Sequence, residues 1–377
     1  MVGKWRLYKQ ENNNFLDVDL LKKEVGKQFP FYDFKHNSNT AIFFCRIDKD
    51  SLEEKFNLLR ESLKKQNYVP ILRYEKGEDV IYVIKKPYRK EKSIWINILL
   101  IISTIITTII TGSILYIGHN DIWGIPDYLI IFNINNLSYG GLLFALPLIS
   151  ILFIHEMGHY FISKKHGIKT SLPFFIPVPP VLPNFNIGTF GALISSHDPM
   201  PNKKALFDVG ISGPLAGFIV AIPVTIIGLM FSVPSVSTDA IPSEFILGPS
   251  ILFSLLSGWI LNIPYDASID LSLTAFAGWI GLLITSINLL PAGQLDGGHI
   301  FRAVLGDKQK YAGWIAVIIM IFTGWTFFAL IIILLMGMMH PPPLNDNTEL
   351  DLKRKILFFI ALGILILCFI PFPFRII

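Results

Sequence analysis

Positions 155–159 read His155-Glu156-Met157-Gly158-His159, the pattern H-E-x-x-H. On a helix, residues four apart lie on one face, a turn apart, so two imidazoles at this spacing can reach one ion. Glu156 stands beside them, placed not as a ligand but to take a proton from a metal-activated water. The pattern lies inside a strongly apolar run. A charged residue there costs roughly 2.5–3.5 kcal/mol on insertion scales, so it normally marks function. The plainer alternative is a polar cluster between helices.

Catalytic zinc takes three protein ligands and keeps one position open, so a third ligand is expected elsewhere. A later apolar run ends Asn288-Leu289-Leu290-Pro291-Ala292-Gly293-Gln294-Leu295-Asp296-Gly297-Gly298. Asp296 is the carboxylate there and the expected third ligand to a single Zn2+. Pro291 and the glycines loosen the helix, and Gly297 and Gly298 let backbone approach a metal closely. Leu-Asp-Gly-Gly alone is more often a turn; its weight comes from pairing with an H-E-x-x-H on the same side.

The elements that must position these residues are set by composition. Of 377 residues, 52% are hydrophobic and 16% charged, against about 25% charged in soluble domains. A bilayer is therefore the expected solvent. The net charge of +4 forms no nucleic-acid-binding stripe, since the basic residues flank apolar runs where they set topology. Cys45 and Cys368 suggest no disulfide framework, and the polar N-terminus suggests no cleavable signal peptide. Apolar runs near 94–117, 141–163, 204–231, 272–293, 311–339 and 354–372 predict about six membrane spans. Lys85, Lys86, Arg89, Lys90 and Lys92 precede the first, which puts the N-terminus in the cytoplasm. Lys164-Lys165 and Lys203-Lys204 fall on that side too, and 232–271 carries no Lys or Arg. The rule then breaks: Lys353-Arg354-Lys355 would lie outside if 311–339 crosses once, so the fifth segment is expected to be irregular.

Residues 1–92 read as a small soluble α+β domain, an accessory module. Thr40–Ile47 is strand-like. Leu52, Phe56, Leu59 and Leu63 form a helical stripe, and Lys76-Gly77-Glu78-Asp79 is hairpin chemistry within 68–86. Residues 93–377 then form the membrane-embedded catalytic domain. The chain as a whole is expected to be an all-α polytopic membrane protein with this N-terminal addition and a small β-hairpin insertion near the site.

The two motifs together resemble the site-2 protease family of intramembrane zinc metalloproteases, peptidase family M50. Gly188-Thr189-Phe190-Gly191-Ala192 and Ser212-Gly213-Pro214-Leu215-Ala216-Gly217 resemble further stretches, especially of archaeal and chloroplast EGY-type members. The resemblance covers about 94–304. It implies cleavage of peptide bonds in or next to transmembrane segments, with single-span membrane proteins as substrates in a regulated proteolysis. It also implies that Asn288 orients substrate or stabilises the oxyanion. The location implied is a multi-pass protein of the cell membrane with its active site toward the cytoplasm.

Two further readings concern the surroundings. Gly213 and Gly217 form a small-xxx-small face for close helix packing against the second span. Residues 186–195 read as a short hairpin or edge strand, where Gly188 and Gly191 permit close approach and Phe190, Ala192 and Leu193 meet substrate by strand addition. The alternative is a loop that only covers the site. His166, His197, Asp198 and His340 are expected in solvated loops rather than as ligands. A metal or proton transporter is the rival reading of the buried ionisable groups, but it gives Glu156 no task and no inverted repeat is visible. A catalytically dead relative is opposed by the intact set.

Overall fold

The structure is a computed structural model that describes residues 16–87, 93–119, 128–180, 187–234, 246–264 and 268–375. Arg89, Lys90, Lys92 and Asn186 lie outside these. The chain divides into two compact units. One runs to Arg89 and takes in Leu344–Thr348; the other comprises Lys90–Pro343 and Glu349–Ile377.

The first unit begins with α1 (Val18–Gln28), whose Asp17 caps it by accepting from Leu20 N at 3.1 Å. Strand β1 (Phe31–His36) and β2 (Thr40–Cys45) follow, then α2 (Leu52–Lys64), β3 (Tyr68–Glu75) and β4 (Glu78–Lys85). The sheet order is β1-β2-β4-β3, antiparallel throughout. Lys76 and Gly77 both have positive φ, 53° and 89°, which a two-residue turn matched to strand twist requires. Ala41, Phe43 and Cys45 alternate inward along β2, where Leu21 and Val25 of α1 and Phe56, Leu59 and Leu63 of α2 cover them. Leu344 belongs to the same core. Its carbonyl accepts from Leu72 N at 2.8 Å, and Asn345 bridges Leu72 in parallel register. A segment from far along the chain thus closes the β3 edge.

The second unit is helical. Helix α3 (Ile94–His119) is followed by α4 (Tyr128–Ile131) and α5 (Ile134–Gly140). Through a π turn over Gly141–Ala145, α5 continues into α6 (Leu146–Lys165). Strands β5 (Phe174–Pro177) and β6 (Thr189–Leu193) form a hairpin, with Phe174 opposite Leu193 and Pro177 opposite Thr189. Helix α7 (Lys203–Met230) lies centrally against α6, with short strands β7 (Val233–Pro234) and β8 (Ile246–Leu247) and helix α8 (Ile251–Leu261) after it. Then come β9 (Ile269–Asp270), α9 (Leu273–Leu289), α10 (Asp296–Leu305), α11 (Gln309–Phe322), α12 (Thr326–Ile331), α13 (Leu352–Cys368) and β10 (Phe374–Arg375). Among the described residues three helices, Ile94–His119, Ile134–Lys165 and Lys203–Met230, are long and apolar enough to cross a membrane.

The expected fifth span is not one helix. Thr323-Gly324-Trp325 breaks it, with Gly324 at φ +74° and Trp325 N donating to Met320 O at 2.9 Å. The chain then returns to where it began: Gln309 Nε2 donates to Met338 O at 3.2 Å, and His340 N donates to Gln309 Oε1 at 3.1 Å. Segment 309–340 is a hairpin whose two ends meet. Arg354 binds Asp208 of α7 through Nε and Nη2 at 2.7 and 2.5 Å, and so lies at the Lys203-Lys204 end of that helix.

Candidate metal centre

Helix α6 presents His155 and His159 on its buried face, and Asp296 opens α10 opposite them. The three ligand atoms converge. His159 Nε2 lies 3.2 Å from His155 Nε2 and 3.2 Å from Asp296 Oδ2, and the third separation is 3.3 Å. Ligands about 2.0–2.1 Å from a tetrahedral ion lie about 3.3 Å from one another, so the triangle has the right edge. The donor set agrees. His159 Nδ1 donates to Val209 O at 2.8 Å; a carbonyl can only accept, so the ring's Nε2 carries the lone pair. Lone pairs brought this close in a buried site call for a cation. These three form the group that could hold a metal ion among the described residues.

Glycine makes the room. A Cβ on Gly213 of α7 would overlap His159 Nε2, and one on Gly217 would sit 3.1 Å from His155 Nδ1. The two glycines are four apart, facing histidines four apart. That matched spacing was the sequence signal that they serve the ligands as well as helix packing. Packing is served by Gly158, whose Cβ would lie 2.5 Å from Ser212 O. Gly297 and Gly298 also make room within the loop that carries Asp296. They press on carbonyls of their own loop, Leu289 and Leu290 for the first and Gly293 for the second.

Glu156 is buried beside the ligands. The Asn288 amide, on the last turn of α9, lies 3.4 Å from His155 Nε2. The hairpin is more varied. Gly188 has φ +78°, and its Cβ would lie 2.6 Å from Thr108 Cα. Its carbonyl accepts from Thr107 Oγ1 at 2.7 Å and Val178 N at 3.0 Å, so Gly188 docks the hairpin on α3. Phe190 is 75% exposed, Gly191 has φ +89° with open space around it, and Ala192 packs against the helical core. Strand β6 runs alongside α6.

Two histidines depart from the solvated-loop expectation. His340 is buried, its ring 4.0 Å from that of His299, one turn beyond Asp296 on α10. His166 bonds Asp208 Oδ2 at 2.9 Å. His197 is half-buried, and its backbone N donates to Lys169 O at 2.8 Å. Asp198 accepts from Lys169 N at 3.1 Å.

A helical unit with a two-histidine, one-carboxylate centre and a buried glutamate beside it has the make-up of a metallopeptidase. The family model of peptidase family M50 matches residues 143–331, half of the chain and all of the centre, and the chain belongs to that family. It is 30% identical over 241 residues to a probable chloroplastic zinc metalloprotease, EGY1, of Oryza sativa subsp. japonica, covering 60% of this chain and 40% of that one. A probable chloroplastic zinc metalloprotease of Arabidopsis thaliana, EGY2, is 30% identical over 260 residues, 66% of this chain and 45% of its own. A zinc metalloprotease of Methanocaldococcus jannaschii is 26% identical over 177 residues, 47% of this chain and 38% of its own. The chain thus spans less than half the length of these curated relatives. No solved structure matches it.

Proposed function

We propose that this chain is a zinc-dependent endopeptidase that hydrolyses membrane-protein substrates within or next to their transmembrane segments. One observation carries the reading. His155, His159 and Asp296 form a tetrahedral face of donor atoms, with Glu156 next to it on a helix long and apolar enough to span a bilayer. A zinc ion held by those three residues would supply Lewis acidity toward a water molecule and a scissile carbonyl. Glu156 takes the proton from the attacking water and returns it to the leaving amide nitrogen. The Asn288 amide donates toward the oxyanion. The Val209 carbonyl holds His159 in the tautomer that keeps Nε2 free.

The substrate must be locally extended, because a helix hides its carbonyls in i→i−4 bonds. Strand β6, paired on one side with β5, supports strand addition on its other side. Phe190, Gly191 and Ala192 would meet the substrate, while Gly188 holds the strand to α3. The partner that fits is a single-span membrane protein in a bilayer. Lys164-Lys165, Lys203-Lys204 and Lys353-Arg354-Lys355 lie at one end, the His166–Asp208–Arg354 cluster joining them. That supports a cytoplasmic placement for this end in the cell membrane. It also supports five crossings with 309–340 as a re-entrant hairpin.

Glu156→Gln tests the assignment. Cleavage of a membrane-embedded peptide should fall by about 10²–10⁴-fold while elemental analysis still finds one zinc per chain. Turnover at the wild-type level would remove Glu156 from the reaction.

A further inference from the structure

We infer that Gln309 is a positioning residue for Asp296, holding the third ligand in reach of the two histidines; this rests on the metal-centre reading above. Gln309 is the first residue of α11 and is completely buried. Burying an amide costs about 1–3 kcal/mol unless it is hydrogen-bonded, so a leucine of nearly the same volume would be the cheaper filler. The amide here is fully employed. Nε2 donates to Pro291 O at 2.8 Å and to Met338 O at 3.2 Å, and Oε1 accepts from His340 N at 3.1 Å. Three chain segments meet on one side chain.

The loop it grips is the one that carries Asp296. Between Leu289 and Asp296 the backbone is non-helical. Leu295 caps α10 with no side-chain hydrogen bond, so no capping side chain fixes the start of the helix that carries the ligand. The loop's internal bonds are Ala292 N to Leu290 O at 2.8 Å and Leu295 N to Ala292 O at a long 3.3 Å. Gln309 adds the link from Pro291 to α11. The link from Gln309 to Met338 holds the returning segment against the loop, where a Cβ on Gly293 would lie 2.8 Å from Gly337 O. The same segment delivers His340 to the ring of His299 on α10. Removing the amide leaves two carbonyls and one N–H buried without this partner and frees the loop. Asp296 Oδ2 is then no longer held 3.2–3.3 Å from both imidazoles. Supporting residues of this kind typically change metal affinity by about 10–100-fold.

The full-length chain in detergent or nanodiscs is titrated with zinc against a competing chelator, and the cobalt-substituted protein is read by visible absorption, whose band intensity follows coordination number. Gln309→Leu and Gln309→Glu should each weaken zinc about 10–100-fold and alter the cobalt spectrum. Glu keeps the acceptor for His340 N but, as a carboxylate, donates to neither carbonyl. Val317→Ala, a cavity in the apolar cluster beside the same loop, should lower thermal stability while leaving zinc affinity and the cobalt spectrum as in wild type. Gln309 variants with wild-type affinity and spectrum, or a Val317→Ala that loses zinc equally, would overturn the positioning role. Stoichiometric zinc in the wild type that disappears in His155→Ala supports the metal centre itself; a wild type without that behaviour overturns both.

Discussion

The two units of this chain both bury a core of large apolar side chains, but they differ in what faces outward and in what lies between the helices. In the first, large side chains fill the centre: Phe29, Phe43, Phe56, Leu59 and Leu72 are at most 1% exposed. In the second, many of the largest apolar residues face outward, Trp259, Phe322 and Leu335 among them at 77–79% exposure. Hydroxyls lie inside it, at Thr108, Ser113, Thr225, Thr285 and Ser286. Water drives the first arrangement, because burying apolar area is worth roughly 25 cal/mol per Å². Lipid gives no such drive, since its tails are as apolar as leucine, and helices associate through close packing and hydrogen bonds instead. Gly158 against Ser212 and Gly213 against His159 are that packing. The lesson is that the second unit, which also buries Phe144, Phe175, Phe207 and Trp279, depends in addition on close contacts at positions that carry no side chain.

Gly213→Ala puts the comparison under the greatest strain. Alanine favours a helix by about 1 kcal/mol over glycine, yet its Cβ would overlap His159 Nε2. Zinc should be lost altogether, with cleavage, in a protein that still inserts and folds; elemental analysis after purification decides it. Retained zinc would reduce Gly213 to a packing residue. In the first unit the damaging change is the reverse, a deletion. Phe56→Ala should destabilise that unit by about 3–5 kcal/mol, seen as faster hydrogen exchange across α2 and its sheet, with zinc content unchanged. If zinc falls with it, the contrast between the units fails.

A smaller effect concerns acid. Glu24, buried on α1, has its carboxyl held below the ordinary value of 4.5, chiefly by hydrogen bonds from Lys27 and then Ser62. A depressed carboxyl contributes stability that is present above its ordinary value and lost as pH falls through the lowered one. The first unit should therefore loosen as pH drops below about 4.5. Glu24→Gln should flatten that dependence, measured by hydrogen exchange of α1 between pH 6 and the acid limit of the protein. An unchanged acid profile would take Glu24 out of the account.

What was readable in the sequence follows the same division. The stripe Leu52, Phe56, Leu59 and Leu63 is buried in α2, and Lys76-Gly77 makes the turn, because water-driven burial writes its period into the residues. Helix α1 and strand β1 were missed: β1 has an irregular, half-exposed pattern, and α1 is short and polar. His155, His159 and Asp296 could be named because motif chemistry fixes their types. Their supports could not be read so directly. Gln309 and Val209 act through backbone groups that any sequence supplies. His340 looked like a loop residue because the hairpin that buries it is set by Gly324 and a returning chain, not by periodicity. The charge rule did register that hairpin, as a conflict at Lys353-Arg354-Lys355.

The segment Leu344–Thr348 has a consequence in time. The unit it completes is synthesised ahead of the helical one, but Leu344, whose carbonyl accepts from both Arg73 and Leu72 N, follows Arg73 by 271 residues. At about 5–20 residues per second, the wait is roughly 14–54 seconds. Throughout it the β3 edge stands open and the apolar floor beneath Leu344 uncovered, while the apolar helices up to α12 are being delivered to the bilayer. The α+β unit is therefore finished only after most of the helical unit has been made, and its closed sheet edge records that the chain has been synthesised that far.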